Sequence, residues 1–287
     1  MQQSSRRTFI KAAAAVGAAA AVPGLTFAAP ADQPNSKFNG VQIGVITYSY
    51  RGTPSSAEDL LGYLLACGLS SVELMGDAAE KFAGRGADAM QKYADLRKMY
   101  SDAGVNIHIV KFGNIGDAGM SDAQIEHYFN AAKALGAKGI TREMDENAAK
   151  RLGSLADKHK IWIGFHNHTQ LKPDTYDGPM LSHGKYLGIN FDIGHYVAGT
   201  NCSPIPFIEK YKDRILSLHL KDRKVNNGPN MPFGQGDTPV ALVLNYMKQN
   251  KLTFPADIEL EYKVPADSNP VKEVTTCVQF CKAALGA

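Results

Sequence analysis

Short apolar runs along this chain alternate with stretches of helical spacing. Val41-Gln42-Ile43-Gly44-Val45-Ile46-Thr47-Tyr48 predicts a first strand, and the apolar positions from Ala57 to Cys67 predict an amphipathic helix stopped by Gly68. Ser71-Val72-Glu73-Leu74 predicts a second strand, followed by a helix from about Asp88 to Asp102 that ends at Gly104. Asn106 to Val110 predicts a third strand. Ser121 caps a helix running to Leu135, with Gly136 as its stop, and Gly139 to Glu143 reads as a weaker fourth strand. Asn147 to His159 then predicts a helix, and Ile161-Trp162-Ile163-Gly164-Phe165 a fifth strand.

Three further strands carry polar residues at or near their ends: Asn190 to His195, Leu218 to Asp222 and Ile258 to Glu261. Helices are predicted between them over Pro206 to Asp213 and Pro239 to Asn250, while Gly178 to Leu187 is poorly marked and predicts a longer loop. Regular alternation of strand and helix with short connections implies a parallel sheet. Eight such repeats are what a closed α/β barrel of the (β/α)8 type requires, and residues 38–287 are enough for one. No low-complexity linker divides them.

The polar strand ends are the informative departure from this apolar pattern. A parallel strand buried on both faces reads as a continuous apolar run, and an ionisable group within it must be paired, hydrogen-bonded or bound to a cation. The fifth strand is apolar until it reaches His166-Asn167-His168, and Ile215-Leu216-Ser217-Leu218 is so until His219. Asp192 and His195 lie three apart with Gly194 between them, and Glu259 follows Ile258. One buried histidine is ordinarily a satisfied core residue, and Asp192 alone could simply cap a turn. Recurrence in four successive strands, at the ends where ligands bind to α/β barrels, points instead to a metal-centred active site.

The first 31 residues belong to a different problem. Ser5-Arg6-Arg7-Thr8-Phe9-Ile10-Lys11 is a twin-arginine pattern, followed by an Ala/Val/Gly run to Val22 and small residues around Ala28 to Ala31. Residues 1–31 therefore read as a cleavable signal that engages the twin-arginine export machinery, with the periplasm as the destination. An Ala-rich tail and a retained anchor are weaker alternatives, since Pro23-Gly24 breaks a run that is short for a membrane span.

Without that segment the charge balance changes. The whole chain has 31 basic and 28 acidic residues; the signal contains Arg6, Arg7 and Lys11 and no acid, leaving 28 of each. A balanced chain argues against nucleic acid as a partner and favours a small, sugar-like one. Self-association into a homo-oligomer is left open. Of the four cysteines, Cys277 and Cys281 lie four apart on the last predicted helix, where buried thiols are expected although periplasmic oxidation is open to them. His159 and His183 read as surface histidines.

Phe191-Asp192-Ile193-Gly194-His195, Leu218-His219-Leu220-Lys221-Asp222, Gly234-Gln235-Gly236 and Ile258-Glu259 together resemble the sugar phosphate isomerase/epimerase superfamily. These are the xylose isomerase-like barrels that include ketose 3-epimerases, inosose dehydratases and endonuclease IV. The resemblance implies a divalent metal held by the ends of strands five to eight, which here are His166, Asp192, His219 and Glu259. His166 stands where the epimerases carry a glutamate. Two imidazoles with two carboxylates favour Mn, Co, Fe or Zn over Mg.

The same substitution weakens a symmetric two-glutamate proton shuttle. Glu259, Glu261, His168, Glu73 and Glu143 are then the candidates for catalytic acid or base, and His195, Lys221 and Gln235 for substrate binding. The expected chemistry is proton abstraction next to a carbonyl of a non-phosphorylated carbohydrate, through a metal-stabilised enediolate, as in an isomerase or epimerase. The alternatives are a lyase or hydratase eliminating from 3-keto-glycosides, and a sugar-binding barrel that has lost catalysis. The trinuclear nuclease reading is weaker, for lack of ligands and of access to DNA.

Overall fold

The Val-, Ile- and Leu-rich runs form eight parallel strands that close on themselves. The computed structural model describes residues 33–287, so the signal segment lies outside the described residues. The strands are β1 (Val41–Ile46), β2 (Ser71–Met75), β3 (Asn106–Lys111), β4 (Gly139–Glu143), β5 (Trp162–His166), β6 (Leu187–Asp192), β7 (Ile215–Leu220) and β8 (Ala256–Ile258). Each pairs with its neighbour in sequence, and β1 pairs with both β2 and β8, which closes the barrel. A short strand, Lys37–Phe38, pairs antiparallel with β1, and Asp222–Arg223 pairs with Asn230–Met231 in a hairpin above β7.

The helices outside the barrel are α1 (Ala57–Ala66), α2 (Gly76–Ala83), α3 (Ala89–Asp102), α4 (Asp122–Leu135), α5 (Glu146–His159), α6 (Ile193–Thr200), α7 (Ile205–Tyr211), α8 (Val240–Gln249) and α9 (Pro270–Leu285). Ser56 and Ser121 start α1 and α4 with capping boxes, completed by Asp59 and Gln124. Gly136 ends α4 in the left-handed conformation at φ 74°.

Three details depart from the sequence pattern. Helix α2 follows β2 with no side-chain cap and was not foreseen. The segment read as the end of the sixth strand turns helical at Ile193, because Asp192 Oδ1 accepts the backbone N–H of His195 at 2.6 Å and so caps α6. The poorly marked stretch before β6 holds two 3-10 turns, Thr175–Asp177 and Pro179–His183, as a long loop would.

The apolar core lies between the outer strand faces and the helices. Leu64, Val72, Leu96, Phe129, Phe191, Leu244 and Val274 are among its fully buried members. Burying a side chain of that size stabilises the fold by roughly 1.5–3 kcal/mol. His159 belongs here too, not on the surface, since it is 8 % exposed, stacks on Phe129 at 4.8 Å and bonds Glu126 at 2.7 Å. All four cysteines are free thiols; Cys67, Cys277 and Cys281 are buried and Cys202 is exposed.

Inside the barrel the side chains are small or polar, where bulky aliphatic layers are usual. A middle layer holds Glu73, Thr141, Asn190 and Ser217. Thr141 Oγ1 donates to Glu73 Oε1 at 2.6 Å, and Asn190 Nδ2 lies 3.0 Å from Glu73 Oε2 and 2.7 Å from Ser217 Oγ. Strand alternation explains this: outward positions are apolar, and inward ones carry the groups that need partners.

Candidate active site

The C-terminal ends of β5 to β8 bring His166, Asp192, His219 and Glu259 together. One ligand atom from each lies within 4.8 Å of the other three. All four residues are buried. Glu259 stands just beyond β8, held there by its backbone N–H donating to Leu220 O at 3.0 Å.

Neighbouring groups determine which atom each residue offers. His166 Nδ1 lies 2.8 Å from Asn190 Oδ1, an acceptor, so its proton sits on Nδ1 and Nε2 keeps the lone pair. Burial and the nearby His219 cation lower the His166 pKa to about 4, keeping the ring neutral. Asp192 spends Oδ1 on the α6 cap. Its buried Oδ2 takes no hydrogen bond, although Lys221 Nζ is 3.0 Å away.

His219 reaches a carboxylate with each nitrogen, Nδ1 to Glu259 Oε2 and Nε2 to Glu73 Oε2, both at 2.9 Å. Burial opposes its charge, yet Glu73 and Glu259 outweigh burial and raise its pKa well above the ordinary value. Glu73 is itself buried, but His219 and the Thr141 hydroxyl more than offset that and pull it down to about 2. A pocket in which two carboxylates and a neutral imidazole converge suits a divalent cation. His166 Nε2, Asp192 Oδ2 and Glu259 could hold it, joined by His219 Nδ1 once a cation displaces the proton shared with Glu259, while Glu73 keeps the Nε2 proton and orients His219 from behind.

Lys221 is 1 % exposed and surrounded by carboxylates: Asp192 at 3.0 Å, Glu259 at 3.0 Å and Glu261 at 2.7 Å. Burial works against its charge, but these three acids more than compensate and raise its pKa.

His195 lies between two cations, Arg223 Nη1 at 2.7 Å from Nδ1 and Lys221 Nζ at 2.9 Å from Nε2. Guanidinium and ammonium both only donate, so a neutral ring can accept from one of them and must turn its own N–H toward the other. Burial and Lys221 lower its pKa to about 3, so the ring is neutral. One ring N–H of His195 therefore faces a cationic donor, an arrangement that an oxygen acceptor placed beside it would relieve. The Arg223 and Lys221 cations against both nitrogens of His195 argue against a second grouping, His166 with His168 and His195, as a metal site.

On the wall across the mouth from β8, Glu143 joins Lys111 at 2.6 Å and His168 at 2.9 Å. Neighbouring Arg142 bonds the Glu143 backbone and faces Asp117 and Asp145. The Glu143 hydrogen bond raises the His168 pKa. Gln235 is the candidate that does not join: its side chain is exposed and bonds none of these residues. Its glycine-flanked loop is no open anion cradle, since the N–H groups of Gly234, Gly236 and Thr238 all donate to the Asp222 carboxylate. A Cβ on Gly236 would lie 2.0 Å from Asp222 Oδ1, which explains the glycine.

Arg223, Asn190 and Thr141 were missed from sequence. Asn190 and Thr141 carried a signal, being polar residues at inward alternate positions of apolar strands; Arg223 carried none, because a hairpin brings it back.

Comparison with known proteins agrees with this architecture. The family model for the TAT (twin-arginine translocation) pathway signal sequence matches residues 3–23, so the chain carries a twin-arginine signal that directs it to the periplasm. Among the described residues no helix is long and apolar enough to cross a membrane. No curated protein matches the sequence. Among solved structures, the probable 3-DHS dehydratase AsbF of Bacillus anthracis superposes with a TM-score of 0.66 at 14 % identity, over 83 % of this chain and 98 % of that one. A sugar phosphate isomerase/epimerase from Parabacteroides distasonis gives 0.58 at 19 % identity, over 86 % and 95 %. A xylose isomerase domain protein from Planctomyces limnophilus gives 0.62 at 14 % identity, over 85 % and 96 %. The chain thus has the barrel fold of the xylose isomerase-like, sugar phosphate isomerase/epimerase proteins.

Proposed function

We propose that this protein is a divalent-metal-dependent enzyme of the isomerase/epimerase type, removing a proton next to a carbonyl of a non-phosphorylated carbohydrate in the periplasm. The observation that carries this reading is the convergence of His166, Asp192, His219 and Glu259 beside His195 and Lys221. A bound divalent cation would act as a Lewis acid toward neighbouring carbonyl and hydroxyl oxygens. His195 and Lys221 Nζ stand together to receive a substrate oxygen, and the Lys221 charge favours the charge that develops on it.

Glu259 and Glu261 stand on the β8 wall. Lys221 and His219 overcome burial to keep Glu259 ionised, and Glu261 is ion-paired to Lys221, so either can accept the carbon-bound proton. Glu73 is too enclosed to meet substrate and acts only by positioning His219. Export removes the protein from most phosphorylated sugars, which leaves free sugars and glycosides as substrates.

A second reading, β-elimination from a 3-keto-glycoside, is favoured by one observation. His168 is half-exposed at the mouth, and its hydrogen bond to Glu143 raises its pKa, which suits it to deliver a proton to a leaving oxygen. The dehydratase among the structural neighbours accords with this.

The test is metal analysis of protein isolated from the periplasm, followed by NMR in deuterated water against ketoses and 3-keto-glycosides. Exchange or epimerisation of ketoses supports the first reading, and release of the aglycone supports the second. Bound metal with no exchange on any substrate leaves a binding protein, and absence of metal overturns the metal-dependent reading.

A further inference from the structure

The N-terminal end of the barrel, remote from the site above, opens into a cavity of about 560 Å3. Bulky residues usually plug this end and serve stability. Here the plug is a single side chain, Leu216. Its branched end approaches the Cβ positions of Gly139, Gly164 and Gly188 within 2.5 to 3.4 Å, so these glycines make room for it. Beside it the barrel interior is polar. Asp257, wholly buried, bonds His108 Nε2 at 2.8 Å, and His108 Nδ1 lies 2.9 Å from Ser71 Oγ.

Asp257 is an acceptor, so the proton lies on His108 Nε2. Nδ1 then takes the Ser71 hydroxyl proton, which leaves the Ser71 oxygen free to accept from a ligand in the cavity that Ser71 and His108 line. Asp257 Oδ1 is buried with no partner. Burying such a relay costs several kcal/mol of desolvation, and groups of this kind concentrate at functional sites.

The rim has a different character. Lys37, Lys138 and Lys212 line it, all exposed, and none is ion-paired to any described residue. Asp213 is the one carboxylate among the lining residues. Trp162 and Phe254 add aromatic surface. Cationic rim, aromatic wall and hydroxyl-accepting floor suit one kind of molecule, an anionic ring bearing hydroxyls. The volume falls in the range of small-ligand sites and far exceeds what a bare phosphate needs.

We propose that this well is a second ligand site, for a sugar acid, whose carboxylate meets the lysines and whose hydroxyls reach Ser71. It is independent of the C-terminal mouth, from which Trp162 is separated along β5 by roughly 13 Å at the usual strand rise.

Trp162 is the only tryptophan in the chain, so its fluorescence reports on this well. The test titrates protein isolated from the periplasm with glucuronate, with glucose (the ring without the charge) and with phosphate (the charge without the ring). The expected result is a saturable response to glucuronate at concentrations about tenfold or more below those for the other two. The double variant Lys138→Glu/Lys212→Glu, altered only at exposed positions, should weaken glucuronate by about tenfold or more, and Asp192→Asn should leave it unchanged. Calorimetry alongside detects a ligand that leaves the indole unperturbed. The proposal is overturned if glucuronate gives neither signal, if glucose or phosphate binds as tightly, or if binding survives the lysine changes.

Discussion

The two mouths of this barrel are built from the same strands and differ in almost every other respect. At the C-terminal mouth, Asp192, Glu259 and Glu261 surround one buried lysine, and the histidines are oriented one by one by Asn190, Glu143, Arg223 and Glu73. At the N-terminal mouth the exposed charge is mostly positive, and a single His108–Asp257 pair lies behind it. Both ends bury ionisable groups, yet only the first collects them from several strands onto one point. The reason is geometric: strand ends and long loops gather at the C-terminal side, whereas the N-terminal side is joined by short turns. The middle layer of Glu73, Thr141, Asn190 and Ser217 keeps the barrel interior polar between the two ends.

The contrast breaks most sharply at Asp192. Asp192→Asn retains an oxygen to cap α6 but removes the charge on Oδ2, so bound metal should fall from stoichiometric to trace while the circular dichroism spectrum is unchanged. Elemental analysis measures this, and full metal occupancy in the variant would show that the ligands were wrongly chosen.

At the other mouth, Asp257→Ala strands His108 without its acceptor in a buried position. It should cost about 3 kcal/mol of stability, read from the urea midpoint, and leave metal content per folded molecule unaltered. A loss of metal there would mean that the two ends are not separable.

The smallest effect sharpens the comparison at the C-terminal rim. His168 has a folded pKa raised above 6.5 by Glu143, so its contribution is complete below that pH and fades as pH climbs through the raised value. Glu143 is shifted the other way: burial would raise it, but His168 and Lys111 hold it low, so its contribution is lost only in strong acid. The pair therefore stabilises most at mildly acidic pH. With His168 half-exposed, the term is no more than roughly 0.5 kcal/mol. Glu143→Gln should flatten the slope of stability between pH 6 and 8 by about that amount; an unchanged slope would remove the pair from the account.

Much of this protein was legible in order of residues alone. Alternating apolar runs and helical stretches determine the barrel, because burial on both faces of a parallel strand leaves no freedom in where polar groups go. The same constraint made His166, Asp192, His219 and Glu259 stand out, and the twin-arginine pattern is local chemistry that needs no fold. What tertiary structure alone decided are the partnerships. That Asp192 uses one oxygen to cap α6, that Arg223 and Lys221 hold His195 between them, that Asp222 closes the glycine loop and that Lys221 is buried among three acids all depend on atoms brought together from distant parts of the chain. Periodicity states which face a side chain occupies; only closure of the barrel determines what it meets there.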